Sequence, residues 1–151
     1  EPTEIEIYRL KNILKKYKIK PSIYIRGKIE KLTDDKFVIL GVVGVLYKMY
    51  FQSQVVYMGG GFSKGIHNII EPSIAGVPII FGPKYEHANE AEQLLKNGGA
   101  FCLNNKSEFK NIIKKLLNDK SYLINIGKIS SQLVDKNIGA SAKIVNFLLK
   151  D

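Results

Sequence analysis

The stretch YMGGGFSKGIHNIIEPSIAGVPIIFGP, residues 57–83, decides the fold. The apolar run QVVYM (54–58) leads into it and breaks off at Gly59, Gly60 and Gly61. A second apolar run, VPIIFG (77–82), leads out. Between them NIIEPSIAG (68–76) reads as a short helix, with Asn68 as its N-cap and Gly76 as its stop. Strands that are apolar throughout, joined through a loop and a helix, belong to a parallel sheet covered on both faces.

The same alternation extends outward in both directions. Upstream, EIEIYRLKNILKKY (4–17) has helical spacing, SIYIRG (22–27) and KFVIL (36–40) read as strands, and VLYKMYFQ (45–52) as a short helix. Downstream, HANEAEQLLKNGG (87–99) is a helix ended by glycine and AFCL a strand. KSEFKNIIKKLLN (106–118) is a helix with Ser107 as its expected cap, and further helices are expected over 119–134 and 138–150. The fold class is therefore α/β, with a doubly wound parallel sheet. The first helix has no strand before it and the chain opens on Glu1, so the expectation is a piece of a longer protein.

A chain of 151 residues suffices for one domain with a core. Its 45% hydrophobic and 25% charged residues are ordinary for a globular protein, and no apolar run approaches the ~20 residues of a membrane span. The single cysteine, Cys102, reads as a small buried hydrophobe in a strand and fits a reducing compartment such as the cytoplasm. The net charge of +9 is compatible with an anionic membrane surface or a phosphorylated substrate. Nucleic acid is not expected as a partner: readers of single strands interleave aromatics with arginine, and here only Arg9 and Arg26 are present.

In sheets of this kind ligands bind beyond the C-terminal ends of the strands. Both glycine loops fall there: Gly41 and Gly44 after strand 36–40, and Gly59 to Gly65 after strand 54–58. Glycines let backbone N–H groups approach a ligand, and a helix beginning near Asn68 would turn its own free N–H groups toward the same place. Lys64 could add charge. Glu71, before Pro72, either complements the helix dipole or accepts two hydrogen bonds from a ribose diol. His67 either packs the loop or donates to a phosphate or sugar oxygen. The stretch FGPKYEHANEAEQL offers a second helix start that could face the same cleft. No histidine, cysteine or carboxylate set has metal-ligand spacing, so neither a metal nor another cofactor is expected.

The segment VVYMGGGFSKGIHNIIEPSIAGVPIIFGPKYEHANEAEQLLKNGGAF resembles the C-terminal domain of bacterial 3-deoxy-D-manno-octulosonic acid (Kdo) transferases of lipid A biosynthesis. The resemblance implies a GT-B architecture of two Rossmann-like domains, of which this chain is the C-terminal, CMP-Kdo-binding one. It implies transfer of Kdo from CMP-Kdo to a lipid A precursor at the cytoplasmic face of the inner membrane. Asn68 and Glu71, with Ile69 and Ile70 between them, match the family's HN-x-x-E donor motif, with Glu71 on the ribose. Gly44, flanked by Val43 and Val45, matches a loop lying against the nucleotide. Gly59, Gly60 and Gly61 match the family's glycine turn, and His67 and Lys64 accompany them. The catalytic base and most acceptor contacts would belong to the N-terminal domain, so no catalytic residue is expected in this chain, and alone it should not turn over. The sequence departs from the family at Gly41, in place of Asp, at Val45, in place of Glu, and at Thr3, in place of His or Arg.

Two alternatives accompany that reading. One is another two-domain nucleotide-sugar enzyme, a UDP-sugar transferase or epimerase. The other is a degenerate, non-catalytic domain that only binds a membrane surface, for which the three departures speak.

Overall fold

The computed structural model describes residues 3–25, 28–29, 37–137 and 147. The helix expected over 138–150 lies outside the described residues, Phe147 excepted. The chain divides into two compact units, Glu1–Leu46 and Tyr47–Asp151.

In the first unit, α1 (Glu4–Lys16) starts where the Glu6 N–H donates to Thr3 Oγ1 at 3.2 Å. Glu4 and Glu6 lie in its first turn and Lys15 and Lys16 in its last, each with the sign that the helix dipole favours. Lys18, at φ +59°, ends it. Strand β1 (Ser22–Ile25) pairs in parallel with β3 (Val38–Gly41), from Ser22 opposite Val38 to Ile25 opposite Gly41. A short β2 (Lys28–Ile29) runs antiparallel on the other edge of β1. Sequence reading placed no strand there. A side chain at Gly41 would lie 2.7 Å from Ile7 Cδ1 and 3.2 Å from Tyr24 O. Helix α1 thus occupies the space that a larger residue at the end of β3 would need.

The second unit takes in most of α2 (Leu46–Tyr50) and a parallel sheet in the order β4 (Val56–Met58), β5 (Ile79–Phe81), β6 (Ala100–Cys102). The expected strands fall in this way into two hydrogen-bonded sheets, parallel but for β2. Central strand β5 is completely buried: Ile79, Ile80 and Phe81 are each 0% exposed. Its alternation serves two cores. Ile79 and Phe81 pack with Met58, Ile69, Ala91 and Leu94, under α3 (Ile70–Ile74) and α4 (Asn89–Asn97). Ile80 packs with Leu103, Leu116 and Ile126, under α5 (Lys106–Asn118) and α6 (Lys120–Asn137). Both faces of the sheet are covered, as its unbroken apolar strands require. Burying each of these β5 side chains contributes roughly 1.5–3 kcal/mol.

The helix ends follow local chemistry. Gly98 (φ +78°) closes α4. Helix α5 is capped by Asn105, not by Ser107 as expected. The Glu108 N–H donates to Asn105 Oδ1 at 3.0 Å, Asn105 Nδ2 donates to Glu108 Oε1 at 2.7 Å, and the Asn104 N–H donates to Glu108 Oε2 at 2.9 Å. This capping box, reaching from Asn105 to Glu108, leaves Ser107 inside the first turn. Behind α3, a Cβ on Gly127 of α6 would fall 2.0 Å from the Gly76 carbonyl oxygen. The two backbones meet there directly.

Candidate functional site

The glycine loop leaves β4 at Met58 and turns back on itself. The Ser63 and Gly65 N–H groups both donate to Gly60 O, at 2.8 and 3.1 Å. Gly60 (φ +90°) and Gly65 (φ +108°) hold conformations that L side chains rarely adopt. The loop lies against the segment between β5 and α4. A Cβ on Gly61 would meet Gly82 N at 2.5 Å, and one on Gly82 would meet Gly61 C at 2.7 Å. Lys84 ties the two together three times: its N–H donates to Gly61 O (2.9 Å), its carbonyl accepts from Ile66 N (3.2 Å), and its Nζ donates to Ser63 O (2.9 Å). His87 Nε2 reaches Ile66 O at 3.0 Å. Much of the glycine content is therefore spent on bringing two loops into backbone contact.

Gly59 is different. It is exposed, has no positive φ, and a Cβ there would meet nothing within 4 Å. It leaves open backbone at the C-terminal end of β4.

Beyond the loop, Asn68 Oδ1 accepts from the Ile70 N–H at 2.9 Å. The helix itself begins at Ile70, with Ile69 at its boundary in αR geometry. Asn68 thus satisfies the first helical N–H from one position further out than an N-cap. Helix α3 is only five residues long and stops at Gly76, φ +67°. His67, Asn68, Ile69 and Ile70 line a cavity of about 160 Å³ together with Ile66, His87, Ala88 and Glu90. The second helix start expected to face the same cleft does so, through His87, Ala88 and Glu90. Ile69 is 2% exposed and belongs to the core, and its carbonyl accepts from the Ser73 N–H and hydroxyl.

Glu71 does not line that cavity. It is half-buried, and its charge acts on the phenol of Tyr50. Burial first, and then the Glu71 carboxylate, push the Tyr50 phenol above the usual tyrosine range. Lys64 is exposed, as are Gly44 and Val43, while Val45 is half-buried. Val43, Gly44 and Val45 belong to the first unit. Gly44 has φ +80° and open space around it. The other nine predicted residues belong to the second unit.

Sequence reading missed Tyr50 as a neighbour of the site, and the ties that Lys84 and His87 make to the glycine loop. The glycine at position 82 was the available signal, because a bare Cα at a strand end marks a close approach of another backbone. It also missed an apolar groove of about 370 Å³ between Tyr57, Phe62, Leu103 and Phe109, where the Tyr57 and Phe109 rings meet edge to face at 5.8 Å. Cys102 lies in β6 as expected but is only half-buried, and burial, with smaller effects from Glu108 and Glu86, raises its thiol pKa. Among the described residues no group of three or more His, Cys, Asp or Glu side chains could hold a metal ion.

No protein-family model matches the chain. It is 30% identical over 102 residues to a 3-deoxy-D-manno-octulosonic acid transferase of Chlamydia pneumoniae, covering 66% of this chain and 22% of that protein. It is 36% identical over 83 residues to the enzyme of the same name from Chlamydophila psittaci, covering 53% and 19%. Its relatives are Kdo transferases. A third, from Aquifex aeolicus, is 33% identical over 79 residues, covering 51% of this chain and 22% of that one. The chain spans about a fifth of the length of these Kdo transferases. Its fold matches that of the C-terminal CMP-Kdo binding domain of WaaA from Acinetobacter baumannii, with a TM-score of 0.74 at 18% identity, over 83% of this chain and 66% of that one. The expected α/β class is borne out, with the strands divided between two sheets.

Proposed function

We propose that this chain is the donor-binding part of a glycosyltransferase that moves Kdo from CMP-Kdo to a lipid A precursor. The observation that carries the reading is the sequence relationship to Kdo transferases, joined to a site whose polar groups fit a sugar nucleotide. The open backbone at Gly59 leaves room for a ligand at the strand end. Asn68 and His67 line the adjoining cavity. Glu71 is half-buried and forms no ion pair among the described residues, which suits a carboxylate that accepts from a ribose diol. Gly60 and Gly61 shape the loop, Lys64 supplies exposed charge to it, and Ile70 stands exposed at the start of α3 with Ile69 buried beneath it.

The catalytic base and the acceptor contacts belong, in this reading, to an N-terminal domain outside this sequence. The chain alone then binds donor without turning it over. Lysine-rich helices, with a net charge of +9, favour the anionic cytoplasmic face of the inner membrane as its working surface. Among the described residues no helix is long and apolar enough to cross a membrane.

Titration with CMP by heteronuclear NMR tests the reading, with UMP, AMP and a Glu71→Ala variant as controls. CMP should shift the amides of residues 59–71, and the variant should not respond. Amides 43–45 are read in the same spectra, since the resemblance assigns Val43, Gly44 and Val45 to the nucleotide. Equal responses to CMP and AMP would overturn the donor assignment.

A further inference from the structure

We propose that His87 is the positioning residue of the glycine loop, fixing the path of the chain from Gly65 to Asn68 and so the groups offered to a donor. The inference rests on the donor-binding reading for its function, but its geometry stands on its own. A carbonyl only accepts, so the 3.0 Å contact makes His87 Nε2 the donor to Ile66 O. The same ring lies over Gly65. A Cβ there would be 2.4 Å from His87 Cε1, 3.1 Å from Nδ1 and 3.2 Å from Nε2. The ring thus holds two consecutive residues, one through its N–H and one by contact with a bare Cα.

Those two residues are the exit of the loop. Two positions after Ile66, Asn68 Oδ1 accepts from the first N–H of α3. The earlier part of the loop is held by other groups: the Gly61–Gly82 contact and the two bonds that Lys84 donates, to Gly61 O and Ser63 O. Lys84 also meets the exit, but through its main-chain carbonyl and Ile66 N, which no side-chain change removes. At the exit, His87 is therefore the side chain that sets where Ile66 O points. His87 and His67 line one cavity, so a shift of the imidazole moves the wall against which a donor would sit.

The test compares the 151-residue chain with His87→Ala and His87→Gln, the glutamine keeping an N–H near the Nε2 position. Two quantities are read from the same samples: hydrogen exchange of the Gly65 and Ile66 amides without nucleotide, and the Kd for CMP. The alanine variant should speed exchange at both amides and weaken CMP, each roughly tenfold, the size of one lost hydrogen bond. Glutamine should restore both. A residue that serves stability alone would give equal losses in the two variants, and that result overturns the proposal. Unchanged exchange in the alanine variant, or unchanged CMP affinity, also overturns it. If the unaltered chain binds no CMP, the donor reading falls, and the exchange data still decide whether His87 fixes the loop. Gly65→Ala, which displaces the ring from the other side, should reproduce the exchange result.

Discussion

Glu71 and Tyr50 form the pairing on which the residue-scale reading turns. The carboxylate stood out in the sequence because it sits between Ile70 and Pro72 in an apolar helix. Its phenolic neighbour did not, because it lies some twenty positions upstream in another helix. Only folding brings them within electrostatic reach. The pKa of Tyr50 is raised from 10.0 by burial and by Glu71, and the sign of the consequence follows. Up to about pH 10 the phenol is neutral in both the folded and unfolded chain, and its contribution is intact. Above that pH the unfolded chain loses its proton first, so stability declines until the folded phenol ionises as well. Thermal melts from pH 9 to 11 should therefore fall less steeply for Tyr50→Phe than for the unaltered chain. Glu71→Gln keeps the size but can no longer accept as a charged group; it should weaken CMP roughly tenfold in the NMR titration, in line with the worth of hydrogen bonds to charged groups. Cys102 was legible from its apolar neighbours alone, and with its thiol pKa raised it should react with iodoacetamide at pH 8 more slowly than free cysteine.

At the scale of elements, what periodicity and breakers encode was readable: every strand of the second unit, the helices on both its faces, and the stops at Gly76 and Gly98. Strand β2 was not, because two residues carry no alternation and its pairing with β1 is a tertiary fact. The cap of α5 was misplaced by two positions. Ser107 and Asn105 are both good caps in isolation, and Glu108, three residues after Asn105, settles the matter through the reciprocal bonds that it makes. Asn105→Ala should destabilise the chain by about 1 kcal/mol in chemical unfolding, and Ser107→Ala by much less. The glycine loop was legible as a site but not as a joint between two loops. Its partner strand end, Gly82, lies twenty-one residues further on. Gly61→Ala drives a methyl into backbone, and the chain should lose about 1–3 kcal/mol on the scale of overpacked cores.

At the scale of the whole molecule, sequence fixed the class of each unit through its parallel strands, while the division into two sheets was invisible. Strand runs show that a sheet exists, not which edges pair. Charge is the other property of this scale. With a net +9, the chain should co-sediment with vesicles containing anionic lipid at low salt and release from them as salt shortens the Debye length toward ~3 Å at 1 M. Neutral vesicles should leave it in solution, and single-stranded oligonucleotides should compete poorly. A donor that binds only the folded chain adds stability by mass action, about 2.7 kcal/mol at a hundred times its Kd, visible as a rise in Tm with CMP. The backbone contacts at Gly61–Gly82 and Gly76–Gly127 carry one more consequence. Where a bulky side chain collides with another side chain, trimming the second restores fit. At Gly61, Gly82 and Gly127 an added methyl collides with main-chain atoms, which no substitution can trim. In a library of paired variants these three positions should find no second-site suppressor at their partners, so the sequence can drift around them but not through them.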